Sequence, residues 1–419
     1  MIKRTLLSGL EDHLPSKEIS LIIGPRQSGK TTLMLALQKA LEAQGLPSLF
    51  FNLDIESDMK HLTSQEAFLN KIRLEVGSRK AFVFVDEIQR KENAGLFLKG
   101  LYDMSLPFKF IVSGSGSVEL KEKIHESLTG RKRIFELNPL SFAEFANHRT
   151  DYRYEDRLRE YFDSEPERAQ HLLDEYLGFG GYPRVVLAEN IAEKQREIGE
   201  IFQSYIEKDI AYLLQVKKTE SFSRLIRVLA VQLGRLVNIS GLSSEVGIAA
   251  PTVKGYLWYL EKTFIVRRLT PFFRNVRKEI RKSPLVYFYD LGLRNYGAGS
   301  FGRLNANEAG FVFQNFIFNW LKEAMADSPV EIHFWHTADQ AEVDFILDFA
   351  REAVPLEVKY SPLRKPTVPR GLRSFIEHYA PAKAYVVNCA LRAAVDLNKT
   401  KIYFVPYWDL ARIIHELRS

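Results

Sequence analysis

Ile19-Ser20-Leu21-Ile22-Ile23-Gly24-Pro25-Arg26-Gln27-Ser28-Gly29-Lys30-Thr31-Thr32-Leu33 is the stretch that decides the fold. Residues 24–31 fit G-x-x-x-x-G-K-[ST], a phosphate-binding loop. Ile19 to Ile23 ahead of it reads as a buried strand, and Thr31 to Leu37 behind it opens a helix that runs to about Gly45. A strand, a glycine-rich turn and a helix N-terminus together aim backbone N–H groups at a polyphosphate. Gly24 and Gly29 let the backbone approach without Cβ clashes. Pro25, Arg26, Gln27 and Ser28 fill the loop, with Thr32 just beyond it. Lys30 is expected to reach the β- and γ-phosphates of ATP, and the Thr31 hydroxyl to ligate Mg²⁺. A chance match in a glycine-rich loop is the alternative, and correct flanks on both sides argue against it.

Working outward, Ser48 to Asp54 reads as a second strand and Glu66 to Val76 as a helix. Ala81-Phe82-Val83-Phe84-Val85-Asp86-Glu87 is a short apolar strand ending in two acids, the Walker B pattern. Ligands of open α/β sheets bind at the carboxyl ends of strands, which predicts Asp86 and Glu87 beside Lys30. Asp86 is then the Mg²⁺-holding acid, and Glu87 orients and deprotonates the attacking water. Phe108 to Ser117 is a further strand ending in small polar residues. Either Ser113 or Ser115 could sense the γ-phosphate, with Ser115 the expected sensor and a plain Gly/Ser turn the alternative. Gly130-Arg131-Lys132-Arg133 precedes a strand at Ile134 to Leu137. Arg131 is a candidate arginine finger, with a solvated basic turn as the bland alternative.

The 419 residues suggest two to four domains. A net charge of +6 is a mild bias toward anionic partners. The single cysteine, Cys389, excludes an internal disulfide framework and a cysteine-based zinc site. The first residues lack the long apolar core of a signal peptide, and no apolar run approaches membrane-spanning length, so a cytoplasmic location is expected.

An extra strand between the phosphate-loop and Walker B strands, plus Glu87, points to the P-loop ATPases with a catalytic glutamate. Pro25-Arg26-Gln27, Asp86-Glu87-Ile88-Gln89, Ser113-Gly114-Ser115, Gly130-Arg131 and Leu137-Asn138-Pro139-Leu140-Ser141-Phe142-Ala143-Glu144-Phe145 occur in that order. The set resembles prokaryotic AAA-type ATPases that carry a C-terminal domain of unknown function numbered 4143. The resemblance spans nearly the whole chain and implies ATP binding and hydrolysis.

From Asp151 to about Lys218 the pattern is helical and charged, broken at Gly178-Phe179-Gly180-Gly181-Tyr182-Pro183, which reads as a tight packed loop. This stretch is expected to be a lid over the nucleotide, with Glu207-Lys208-Asp209-Ile210 as solvated helical charge. Phe222 to Leu233 is amphipathic. Val237 to Ile248 and Ala250 to Glu261 then follow helix-turn-helix grammar, with Gly247 at the turn and Pro251 at a helix start. Thr263–Leu269 and Leu285–Tyr289 could form a wing hairpin. Between Arg267 and Lys282 stand Arg267, Arg268, Arg274, Arg277, Lys278, Arg281 and Lys282 against Glu279, with Phe272 and Phe273 interleaved. Such a patch could track the backbone of nucleic acid, most readily DNA. Packing or protein contact is the alternative use.

In the last third, Asp344 and Glu357 lie on two expected strands, and Glu357 and Lys359 point the same way because strand side chains alternate. Two carboxylates and a lysine in one spot can hold Mg²⁺ and activate water on a phosphodiester. The pattern resembles the PD-(D/E)xK nucleases, with spacing similar to archaeal Holliday-junction resolvases. On that resemblance Gln314 stands where a glutamate is usual and His336 where an arginine is usual. A neutral amide binds Mg²⁺ less well, so the fold reading is stronger than the activity reading.

The expected architecture is α/β: a P-loop NTPase core of the AAA type at 1–150, a helical lid at 151–218, a winged helix at 219–290 and a restriction-endonuclease-like α/β domain at 291–419. The expected function is Mg²⁺-dependent ATP hydrolysis coupled to nucleic-acid binding or processing. The alternative is a nucleotide-dependent switch whose C-terminal domain serves protein contacts. A homo-oligomer is compatible with both, since Arg131 could act across subunits.

Overall fold

Two apolar runs, Ile19–Gly24 (β1) and Ala81–Asp86 (β3), are buried at every position, as expected of strands covered on both faces. The computed structural model describes residues 2–115, 127–204, 219–273, 283–326, 328–337, 339–349 and 352–418. With Ser48–Asn52 (β2), Phe108–Ser115 (β4) and Lys132–Glu136 (β5) the two runs form one parallel sheet, ordered β2-β3-β4-β1-β5. The inserted strand is β4, between the phosphate-loop strand and the Walker B strand. Side chains alternate between two cores. Ile22, Phe84 and Ile111 meet Leu33, Met34 and Leu37 of the helix Lys30–Ala43. Leu21, Val83 and Val112 meet Phe68 and Ile72 of the helix Gln65–Val76, and Phe97 and Leu98 of the helix Ala94–Asp103. The last of these helices had no counterpart in the sequence reading.

The helices Leu158–Ser164, Pro166–Phe179, Pro183–Leu187 and Ile191–Ser204 follow. Glu207 to Ile210 lie outside the described residues. The glycine cluster is a packed joint, as the sequence suggests. Gly180 has φ +76°, and a Cβ there would fall 2.4 Å from the Gly292 nitrogen and 2.5 Å from Asp290 Oδ1. The Gly181 N–H donates to Asp290 Oδ2 at 2.7 Å, and the Gly181 carbonyl accepts from the Leu140 N–H at 2.7 Å.

Three helices, Thr219–Val231, Ile239–Val246 and Ala250–Lys262, precede an antiparallel pair, Val266–Leu269 (β6) and Leu285–Phe288 (β7). Gly247 makes the left-handed turn between the second and third helices at φ +74°. Arg274, Arg277, Lys278, Arg281 and Lys282 lie outside the described residues. The two described basic residues of that patch are committed within the fold. Arg267 reaches Glu136 of β5 at 3.0 Å and sits 3.8 Å over the Tyr289 ring, while Arg268 bonds Glu261 at 2.8 Å. Phe272 packs with Trp335 and Phe375, so this member of the patch is core.

The helix Leu291–Ala298, which the sequence reading put in the last domain, packs instead on the helices Pro166–Phe179, Ile191–Ser204 and Thr219–Val231. Its Arg294, 1% exposed, donates to the Ala230 carbonyl and to Glu308. Asn295 donates to the Leu177 and Gly178 carbonyls. The helix Ala306–Ala324 then leads to Glu331–His336 (β8), Glu342–Asp348 (β9), Ala353–Val358 (β10), Lys383–Asn388 (β11), Ala393–Leu397 (β12) and Thr400–Pro406 (β13). They form a mixed sheet ordered β12-β13-β11-β10-β9-β8. One apolar core runs from Phe142 and Phe145 through the helices to Tyr407, so the elements that follow the first sheet share a single core.

Candidate active site

All five strands of the first sheet run one way, so Gly24, Asp86 and Ser115 end together at its carboxyl edge. Gly24 has φ +156°, and a Cβ there would lie 2.2 Å from the Leu137 carbonyl oxygen. The loop that follows is tied to itself. The Ser28 hydroxyl donates to the Pro25 carbonyl at 2.9 Å, and Lys30 Nζ donates to the carbonyls of Gly24 at 3.1 Å and Pro25 at 2.7 Å. Gly29, in the left-handed region at φ +96°, starts the helix. Positive φ at Gly29, and at Gln27 with φ 58°, curls the backbone into the concave form that binds anions.

Across from the loop, the Thr31 hydroxyl donates to Asp86 Oδ2 at 2.6 Å. Asp86 Oδ1 accepts from the Ser113 hydroxyl and from the Glu87 N–H. Glu87 itself holds φ 57°, a left-handed conformation that costs a non-glycine residue of order 1 kcal/mol. Its carboxylate accepts from Gln89 Nε2 and faces the cleft. Lys30, Thr31, Asp86 and Glu87, read separately from two motifs, thus meet at one place. Ser113 has its hydroxyl on Asp86, so its part is to brace the Walker B acid. Ser115 pairs through its backbone with Gly24, and its side chain lies outside the described residues.

Arg131 is elsewhere. It precedes β5, and its carbonyl accepts from the N–H of Ile19, the first residue of β1, which puts it at the amino edge of the sheet. Its guanidinium bonds Asp103 at 2.8 Å. The structure therefore does not bring Arg131 to this chain's own phosphate loop.

The cleft has a volume of about 1060 Å³, at the upper end of small-molecule sites. Arg26, Gln27, Ser28, Gly29, Lys30, Thr31 and Thr32 line its floor and Glu87 one wall. Ile2, Leu7, Leu140, Tyr152, Pro183 and Leu187 give it an apolar side suited to a base. The sequence reading missed two cationic residues here. Arg4 bonds the Ser28 carbonyl at 2.7 Å. Arg184, on the helix after the glycine joint, bonds Gln27 Oε1 at 3.3 Å and pairs with Glu197 at 2.6 Å and Glu200 at 3.3 Å. The signal for Arg184 was its place just past a glycine-proline break next to the expected lid.

The C-terminal carboxylates also meet. Leu356 pairs with Phe345 across β10 and β9, which sets Asp344 beside Glu357. Lys359 Nζ bonds Glu357 Oε1 at 2.8 Å. Gln314 Nε2 donates to Asp344 Oδ1, and the Val358 N–H donates to Asp344 Oδ2 at 2.6 Å. Burial, and then the neighbouring Glu357, pushes the Asp344 carboxyl well above its ordinary range. Burial raises Glu357 too, against the pull of Lys359. Among the described residues no cluster of three or more His, Cys, Asp or Glu could hold a metal ion.

Residues 16–146 match a family model described as an AAA domain. Residues 170–303 and 309–410 match two domains of unknown function, DUF8612 and DUF4143. An uncharacterized protein of Mycobacterium tuberculosis is 25% identical over 389 residues, 92% of this chain and 79% of that one. One from Haemophilus influenzae is 26% identical over 352 residues, 82% of each chain. Among solved structures, AMPPCP-bound DnaA from Aquifex aeolicus overlaps 61% of this chain and 86% of its own with a TM-score of 0.29 and 15% identity, too loosely to bear on mechanism. No helix among the described residues is long and apolar enough to cross a membrane. Sheet order and phosphate loop agree with the family match: residues 16–146 form an AAA-type P-loop domain.

Proposed function

We propose that the chain binds ATP with Mg²⁺ in this cleft, hydrolyses it, and uses the change of nucleotide state to move its helical and C-terminal parts on nucleic acid. The observation that carries the proposal is the 2.6 Å bond between Thr31 and Asp86 at the mouth of the loop, with Glu87 beside it. A hydroxyl and a carboxylate are the hard oxygen donors that Mg²⁺ takes, so Thr31 and Asp86 fit as its protein ligands. Mg²⁺ bound there supplies charge neutralisation for the β- and γ-phosphates. Lys30 exchanges its two loop carbonyls for phosphate oxygens. Glu87, oriented by Gln89, accepts the proton of the attacking water. Arg184 links the cleft to the glycine joint and so to Asp290 and the helix Leu291–Ala298. Glu87→Gln is the test: ATP affinity by calorimetry should stay within a few-fold while phosphate release falls at least about 100-fold. Equal turnover by the variant would refute the assignment.

The nucleic-acid part rests on the three helices and hairpin after residue 218, read as a winged helix. The third helix buries Val253, Tyr256, Leu257 and Leu260 and leaves Pro251, Thr252 and Lys254 exposed, as a recognition helix requires. DNA that neither binds nor changes turnover would remove this part. A second reading is favoured by one observation, the closure of Asp344 by Gln314 and Val358. In it the last domain transmits contacts and cuts nothing, and the nuclease-like set Asp344, Glu357 and Lys359 is a structural remnant.

A further inference from the structure

A single arginine near the amino end bonds three separate pieces of the AAA domain. Arg4 Nη1 donates to the Ser28 carbonyl at 2.7 Å, Nη2 to the Asn138 carbonyl at 2.6 Å, and Nε to Glu144 Oε2 at 3.1 Å. Its side chain is only 10% exposed. Glu144, 5% exposed, is held in turn. Its Oε1 accepts from the Thr5 N–H at 2.7 Å and the Thr5 hydroxyl at 3.0 Å, and its Oε2 from the Ser141 N–H at 3.0 Å. Ser141 and Glu144 also form the capping box of the helix Phe142–Arg149. The guanidinium is thus fixed by a carboxylate that is itself fixed by a helix start.

The carbonyl it grips belongs to the phosphate loop. Ser28 C=O and Gly29 N–H are two ends of one planar trans peptide and point in opposite directions. A donor that holds the oxygen also sets where the N–H points. Gly29 has no Cβ to hold its own orientation, and Arg4 Nη1 lies 3.8 Å from where that Cβ would be. Electrostatic sites need donors aimed before the ligand arrives, because reorienting them on binding is costly.

We propose that Arg4, anchored by Glu144, is a positioning residue of the phosphate loop, fixing the Ser28–Gly29 peptide so that the Gly29 N–H is set for a polyphosphate. This deepens, and rests on, the nucleotide reading above. A lysine keeps the charge but has one head where the fork has three bonding nitrogens, so it cannot hold all three acceptors.

The test is calorimetry of inorganic tripolyphosphate, and separately of ATP, with wild type, Arg4→Lys and Glu144→Gln, each verified as folded by circular dichroism. Wild type should bind tripolyphosphate. Folded Arg4→Lys should bind it about tenfold more weakly or worse, the equivalent of one charge-assisted hydrogen bond. Glu144→Gln, which leaves Arg4 in place but loosens its anchor, should fall between the two. A merely structural tie would not change the affinity of folded protein. The proposal is overturned if both folded variants bind within twofold of wild type. It is overturned also if neither variant folds, since the pair is then a structural tie alone. Should wild type bind neither ligand, it is the nucleotide reading that fails.

Discussion

The two carboxylate clusters of this chain, one at the AAA cleft and one in the C-terminal sheet, were each expected from acids on strands brought beside a lysine, and they stand in different conditions. At the cleft, Lys30 bonds carbonyls and Asp86 bonds hydroxyls and an N–H, partners that phosphate and metal can replace group for group. In the C-terminal sheet, Lys359 is spent on Glu357, and Asp344 is gripped on both oxygens by an amide and a backbone N–H. The first set opens on the cleft, while in the second Asp344 is closed in by Gln314 and Val358 and Glu357 Oε2 is buried with no hydrogen-bond partner among the described residues. Residue types at a given spacing determine which groups meet. Whether those groups remain free to act depends on a third party such as Gln314, thirty residues from Asp344 and on another element.

The contrast is sharpest in the largest expected effect. Lys30→Ala should lower ATP turnover by about 10²–10³-fold, the range for loss of one preorganised donor to developing charge. Asp344→Ala should leave turnover within a few-fold. On supercoiled DNA with Mg²⁺ or Mn²⁺, wild type and Asp344→Ala should be alike in leaving it intact. Cleavage by wild type that disappears in Asp344→Ala would break the comparison outright, because the second cluster would then be as ready as the first.

Next in size is the joint between the two regions. Gly180→Ala places a Cβ inside 2.5 Å of the Gly292 nitrogen, at a φ that an L-residue rarely adopts. A loss of about 2 kcal/mol or more is expected from strain and clash together, read as a lower urea midpoint. Loss of DNA-stimulated turnover, with basal turnover kept, would show that the joint also carries the nucleotide signal.

A smaller effect concerns pH. Asp344 and Glu357 have folded pKa values above their unfolded ones, so between the two values the native protein binds more protons than the unfolded chain. Stability from this pair is fully present below the ordinary carboxyl range and is lost as pH rises through the raised values. Replacing Glu357 with glutamine should flatten that fall in the thermal midpoint. A flat wild-type profile above pH 5 would mean that the cluster is wetter than its hydrogen bonds suggest.

How much of this could be read from the chain depends on the range of the interactions. The loop from Gly24 to Thr31 was legible because its geometry is local, and Asp86 and Glu87 because a buried strand can end in two acids at few other places. The partners of Arg4 at Ser28, Asn138 and Glu144 come from three regions of the sequence, and no periodicity marks them. Ser141-x-x-Glu144 was a legible capping signature, and it pointed at one half of that tie. Phe272 was read as interleaved in a basic patch that could track a nucleic-acid backbone, yet it is buried with Trp335. Aromatic residues in a basic run do not reveal their burial.

Arg131 gives the smallest predicted effect and the clearest lesson. In a parallel sheet, residues just after each strand gather at one edge and residues just before each strand at the other. Asp86 closes β3 and Arg131 just precedes β5, so the direction of the strands alone sets them at opposite edges. Arg131 pairs there with Asp103 at 2.8 Å, with both side chains partly in water, and it draws the Asp103 carboxyl below its usual range. Exposed pairs of this kind contribute little. Arg131→Ala should therefore leave the thermal midpoint and the turnover rate at low protein concentration unchanged. A finger reaching a neighbouring subunit's nucleotide predicts something different: turnover per chain that rises with wild-type concentration, and a variant that does not follow it. A turnover rate independent of concentration, equal in wild type and Arg131→Ala, would leave the residue as the basic turn that its ion pair describes.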